Sequence, residues 1–282
     1  MPVILLPIIA VVADASYMTI VKHFFRQYGR LTSREFNWLQ FVGIVFVLLL
    51  TTPFFVRWPA IVQMQSVWQL LAGVVILATA ANLLFYWAIE REKISEVEPF
   101  LLFNPLVAIL IAGVFYSNER IWPVYLAAGV ASLVLVWSHW RKHKLVLTRG
   151  LTAIVGFSLI YGLEASAIKT LLTVYDPIAL YLIRSVFVLL ALSLVAWPNF
   201  KIIKRHHLAI FGVLGALAVI SVVAAYTAFQ LRGLSETIFV FTLSPVLIYV
   251  LSVIFLRERW RTKNIIASLI ITGLVVWVSL MK

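Results

Sequence analysis

The chain contains no cysteine in 282 residues. That excludes disulfides, iron–sulfur clusters and thiolate metal sites. Charge is nearly as scarce: charged residues make up 12% of the chain, hydrophobic residues 63%, and the mean hydropathy is +1.04. No soluble domain can bury that much apolar surface behind so little polar surface. Enzyme signatures are missing too. There is no G-x-x-x-x-G-K-[ST] loop for ATP, no H-E-x-x-H and no G-x-S-x-G. The five histidines, His23, His139, His143, His206 and His207, lie in basic loops or at span ends and read as interface residues. Two intramembrane carboxylates could suggest an aspartyl protease, but no glycine-rich context surrounds either Asp14 or Glu164. The chain is therefore expected to be neither an enzyme nor a holder of metal or cofactor.

What is present is a succession of apolar runs. Ten are read, over residues 2–21, 38–56, 68–89, 97–117, 121–140, 151–173, 178–197, 207–230, 236–256 and 264–281. A helical span needs about 20 apolar residues. These runs are continuous rather than alternating, so helices are expected and a barrel is not. The expected fold is an all-α polytopic membrane protein of ten transmembrane helices, with no soluble domain of useful size.

The formal net charge is +12. Nucleic acid is not the expected partner, because the basic residues sort by loop. Seventeen fall after the odd-numbered runs, five on the opposite side, and Arg184 lies inside a run. Basic loops face the cytoplasm and its anionic lipid. The expectation is a cell (inner, cytoplasmic) membrane protein with odd-numbered loops cytoplasmic and both termini outside.

Two blocks repeat. Residues 86–106 and 226–246 align at a constant offset of 140, matching Tyr86 with Tyr226, Ser95-Glu96 with Ser235-Glu236 and Pro105 with Pro245. With one gap, Glu119-Arg120 matches Glu258-Arg259. Residues 1–145 and 146–282 are thus expected to be two five-helix units. Five is odd, so the second enters the membrane from the opposite side. Such inverted repeats recur in secondary transporters, whose substrate sits near the midplane between the halves.

An aspartate, Asp14, stands inside the first apolar run. Ala13-Asp14-Ala15 resembles a signal-peptide cleavage site, but no basic segment precedes it, and cleavage would leave Lys22, Arg26, Arg30 and Arg34 outside. A second reading places Asp14 near a span end, yet it falls at mid-depth. At an offset of 150, Glu164-Ala165-Ser166 falls on Asp14-Ala15-Ser16. A charge at the bilayer centre costs on the order of 3 kcal/mol, so such groups are functional candidates by default. Helical spacing sets Tyr17 beside Asp14, Tyr161 beside Glu164, Tyr181 beside Arg184, and Tyr86 beside Asn82. These eight residues are the expected substrate- and proton-binding set, with Tyr226 and Tyr249 as further candidates. Interfacial belts are the alternative for the tyrosines. Arg184 either neutralises one carboxylate as a structural pair or serves the substrate; in both cases one acid is left without a cation. Asn104-Pro105 and Ser244-Pro245 are expected to break spans 4 and 9, as a cavity lining or as packing kinks. Lys169 is expected to snorkel to the interface, and Glu96 and Glu236 to suit helix N-termini.

The Ser-Glu pairs, the span prolines, the Glu-Arg pairs and the inverted ten-helix plan together resemble the EamA family of the drug/metabolite transporter superfamily. The resemblance implies a central cavity lined by spans 1–4 and 6–9, with spans 5 and 10 peripheral. Where that family often carries an aromatic–glycine pair, this chain has Asp14-Ala15 and Glu164-Ala165. The implied function is secondary transport of a small metabolite such as an amino acid, with export the expected direction and protons a candidate coupling ion. Efflux of cationic drugs or amines, and flipping of a lipid-linked sugar, stand as alternatives. The expected partners are a small-molecule substrate and the lipid bilayer.

Overall fold

The computed structural model describes residues 5–27, 31–56, 61–91, 104–139, 149–195, 197, 205–256 and 262–281. Among these every regular element is helical. The helices are α1 (Leu5–Gln27), α2 (Ser33–Phe55), α3 (Ile61–Ser66), α4 (Trp68–Arg91), α5 (Asn104–Phe115), α6 (Trp122–His139), α7 (Arg149–Leu171), α8 (Pro177–Val195), α9 (Arg205–Arg232), α10 (Leu234–Val240), α11 (Ser244–Leu256) and α12 (Thr262–Leu280). Two 3₁₀ turns, Ser117–Glu119 and Phe241–Leu243, stand before α6 and between α10 and α11.

Seven apolar stretches among the described residues are long enough to cross a bilayer. Three shorter ones, Asn104–Phe115, Trp122–Ser138 and Ile265–Val278, fall within expected spans 4, 5 and 10. The first seven residues of expected span 4, and Ser95-Glu96 and Glu258-Arg259, lie outside the described residues. Within span 9, α10 passes through a 3₁₀ turn, Phe241–Leu243, into α11, which begins at Ser244-Pro245. Asn104-Pro105 are the first described residues of α5, and the residues before them lie outside the described residues.

Local chemistry explains several boundaries. Thr32 caps α2 through a capping box with Glu35: the Glu35 N–H donates to Thr32 Oγ1, and Glu35 Oε2 accepts from the Thr32 N–H at 2.9 Å. Large apolar side chains point outward along the bundle, with Phe54 79% and Leu194 90% exposed, as a lipid-facing surface requires. Trp68, Trp122 and Trp197, at helix ends, are exposed too and suit an interfacial belt.

The two halves of the chain interleave. α1 packs on α9 and α11, α7 on α4 and α5, α2 on α8 and α9, and α6 on α12. Lipid offers no hydrophobic drive for such contacts, so small residues set the close approaches. Gly43 of α2 and Gly215 of α9 meet backbone to backbone; a Cβ on Gly215 would fall 2.4 Å from the Gly43 carbonyl carbon. Ala10 of α1 clusters with Ala224 and Ala225 of α9, all three buried. Ala128 and Ser132 are buried in α6, the helix that packs on α12.

Candidate functional site

The apolar helices enclose a cavity of about 260 Å³ between the halves, walled by α1, α2, α4, α7, α8 and α9 and by Phe241. All eight polar and tyrosine residues expected from the sequence line it: Asp14, Tyr17, Asn82, Tyr86, Tyr161, Glu164, Tyr181 and Arg184. Tyr226 lines it as well; Tyr249 does not. Tyr86 is 4% and Tyr226 5% exposed, so these tyrosines face the cavity and not a lipid interface.

Each carboxylate has a different partner. Arg184 of α8 donates to Glu164 of α7 through Nε at 2.7 Å and through a second nitrogen. The guanidinium also lies 6.0 Å from the Tyr181 ring centroid. Asp14 forms no ion pair among the described residues; its Oδ2 accepts from the Ser244 hydroxyl at 2.6 Å. Ser244 thus brings the start of α11 to the acid of α1. The paired motifs behave alike in one respect. Ser16 donates to Val12 O at 2.8 Å, and Ser166 to Gly162 O at 2.9 Å. Both serines satisfy themselves on their own helix and leave the acids to the cavity. Asn82 also bonds its own helix, at Ala78 O.

Sequence reasoning passed over several wall residues. Gln40 accepts from the Tyr86 hydroxyl, and Tyr86 in turn lies 3.0 Å from Tyr17 Oη. Ser221 and the rings Phe85, Phe157, Phe229 and Phe241 complete the lining. A phenylalanine in a membrane helix carries no signal that separates a cavity wall from a lipid-facing one.

Both ends of the cavity are backed by dense packing. Beyond Tyr86, the Phe36 ring of α2 packs tilted against Phe24 of α1 at 5.5 Å and Tyr86 at 5.4 Å, and edge-on against Phe211 of α9 at 5.2 Å. At the other end sits Glu119, 2% exposed. Its Oε1 accepts from the Leu234 N–H at 2.9 Å and its Oε2 from the Ser235 N–H at 2.7 Å. Lys169 forms an ion pair with the same carboxylate and lies 4.5 Å over the Tyr116 ring. Lys169 thus corrects the snorkelling expectation: it turns into the protein because a buried carboxylate is within reach. Glu119 lies outside the spans. Burial raises its pKa, but the Lys169 ammonium and the Ser235 and Leu234 N–H groups outweigh burial and hold it below the ordinary carboxylate value. Gly233, at φ 93°, is required here twice over: a Cβ would be strained and would fall 2.9 Å from Glu119 Oε1. Glu236 stands in the first turn of α10 as expected, 3.5 Å from Arg232.

The comparisons with known proteins agree with this architecture. The model of the EamA-like transporter family matches residues 148–280. A protein of known crystal structure superposes with a TM-score of 0.76 over 98% of this chain and 99% of its own, at 14% identity, which establishes a shared fold. No curated protein matches the chain in sequence.

Proposed function

We propose that this chain, whose residues 148–280 match the model of the EamA-like transporter family, is an integral membrane transporter, and that the cavity between its halves carries a small amphipathic metabolite by alternating access. One observation carries the reading: Glu164 is held by Arg184, while Asp14 faces the same cavity with no cation among the described residues. A lone carboxylate at this depth is stabilised by a proton or by a cationic group. The two compete for the same oxygens, and that competition is the physical basis of proton-coupled antiport. An amino acid fits the set, with its ammonium on Asp14 and its carboxylate drawn to Arg184. The rings of Tyr17, Tyr161, Tyr181 and Tyr226 offer faces to a cation or an aromatic side chain.

Size favours a small metabolite over a drug: about 260 Å³ falls below the usual range for drug-sized ligands. A simple amine is the second reading, because Asp14 alone would suffice for it. The inverted plan, with units at 1–145 and 146–282, is supported by pairs of matching contacts. α1 against α9 mirrors α7 against α4, and α1 against α11 mirrors α7 against α5. Rocking of the units would loosen the aromatic packing around Phe36 and the Glu119 cluster in turn. With odd-numbered loops cytoplasmic, the Glu119 end faces outward and export is the direction proposed.

The test is a thermal-shift screen of purified protein with amino acids and amines at pH 6 and pH 8. Stabilisation by one class, stronger at pH 8 and lost in Asp14→Asn, is expected. Stabilisation that ignores both pH and the substitution would remove Asp14 from the mechanism.

A further inference from the structure

A second and larger cavity, of about 650 Å³, lies beside the first and shares Tyr86 with it. Its walls come from the start of α2 (Ser33, Arg34, Asn37), the end of α4 (Leu83, Leu84, Trp87), the start of α7 (Arg149, Thr152, Ala153, Gly156) and the end of α8 (Val195). The lining is sorted by chemistry. Arg34 and Arg149 stand in the first turns of α2 and α7, both exposed. Neither forms an ion pair among the described residues, and the nearby Glu35 is turned back onto Thr32. The N-terminus of α2 adds partial positive charge at the same place. The leucines and Trp87 offer an apolar wall.

Asn37 supplies an independent pointer. It is fully buried in this wall, and both its side-chain nitrogen and its oxygen lack a hydrogen-bond partner among the described residues. Leaving a buried amide unpaired is costly, so such a group points to a missing partner.

We infer that this cavity binds an anionic phospholipid from the leaflet on the side of the odd-numbered loops. Its phosphate would sit between Arg34 and Arg149, its ester or glycerol oxygens would reach Asn37, and an acyl chain would lie along Leu83, Leu84 and Trp87. A free anion would leave the apolar wall unfilled. A zwitterionic lipid would bring a choline cation to two arginines. The lipid would wedge between α4 and α8, whose packing is looser than that of their repeat counterparts α9 and α2, and would hold the wall that carries Tyr86.

The experiment compares thermal melting of the purified protein with added phosphatidylglycerol, phosphatidylcholine or inorganic phosphate. Phosphatidylglycerol is expected to raise the melting temperature by several degrees more than phosphatidylcholine, and phosphate to do nothing. The Arg34→Gln/Arg149→Gln double variant should lose that difference while keeping its melt in phosphatidylcholine, and Asn37→Leu should weaken it. Native mass spectrometry of the wild type should show phosphatidylglycerol retained over phosphatidylcholine, which keeps the proposal testable if the double variant fails to fold. Equal effects of the two lipids, or retention of the difference in a folded double variant, would overturn the proposal. Stabilisation by phosphate equal to that by phosphatidylglycerol would also overturn it, as a free-anion site.

Discussion

Asp14 of α1 and Glu164 of α7 line the same cavity, yet their surroundings differ. Glu164 is neutralised by Arg184, so its removal leaves a buried guanidinium unpaired. Glu164→Gln is expected to lower stability by about 3 kcal/mol, seen as a fall in melting temperature. Asp14 is held only by a serine hydroxyl. Asp14→Asn is expected to keep the fold, with a melt within about 1 kcal/mol of wild type, while ligand binding falls at least about tenfold, or about 1.4 kcal/mol. Comparable losses of stability in both variants would contradict this division. Glu119 makes a pH prediction. Its pKa is lowered in the folded state, so its stabilisation is present at neutral pH and lost as pH falls through that lowered value. Wild type should therefore lose more stability than Glu119→Gln on acidification below about pH 4, measured by melting both across that window. The two acids are legible in the sequence because a charge inside an apolar run is costly and stands out. The Glu119–Lys169 pair was not, because its partners come from different helices and only packing joins them.

At the scale of elements, the helices follow from their apolar length, but their crossings follow from single small residues. α2 and α9 approach through Gly43 and Gly215, where a Cβ would fall 2.2 Å from Phe211 O or 2.4 Å from the Gly43 carbonyl carbon. Neither atom can yield, since both are backbone. Gly43→Ala and Gly215→Ala are each expected to cost about 1–3 kcal/mol through overpacking, whereas Gly73→Ala, with nothing within 4 Å, should cost nothing measurable. Equal melts for all three would show that the α2–α9 crossing is not tight. A glycine in an apolar run signals nothing about which helix it faces, so this crossing could not be read beforehand. The irregularity between α10 and α11 lies beside Ser244-Pro245, which the sequence marks because proline lacks the N–H that a helix interior uses.

For the whole molecule, interleaved halves put one acid from each half into one cavity and back that cavity with an aromatic cluster at one end and a carboxylate cluster at the other. The absence of cysteine makes access measurable. A single Ser221→Cys, in the cavity wall, should react with a membrane-impermeant thiol reagent and be protected by substrate. Reaction unchanged by any amino acid or amine would argue against a substrate cavity. The all-helical membrane architecture is readable from apolar run length, and the polar residues of the cavity from charges and tyrosines at helical spacing inside those runs. The phenylalanine wall and the second cavity were not, since both arise only where several apolar helices meet. The central claim is that Asp14 couples substrate to protons across the space between the halves. Its most direct test is uptake into proteoliposomes driven by an imposed pH gradient, comparing wild type with Asp14→Asn under identical reconstitution. The account predicts gradient-driven accumulation in wild type, and in Asp14→Asn a loss of the gradient's effect. Accumulation of equal size in both, following the pH gradient in each, would contradict it.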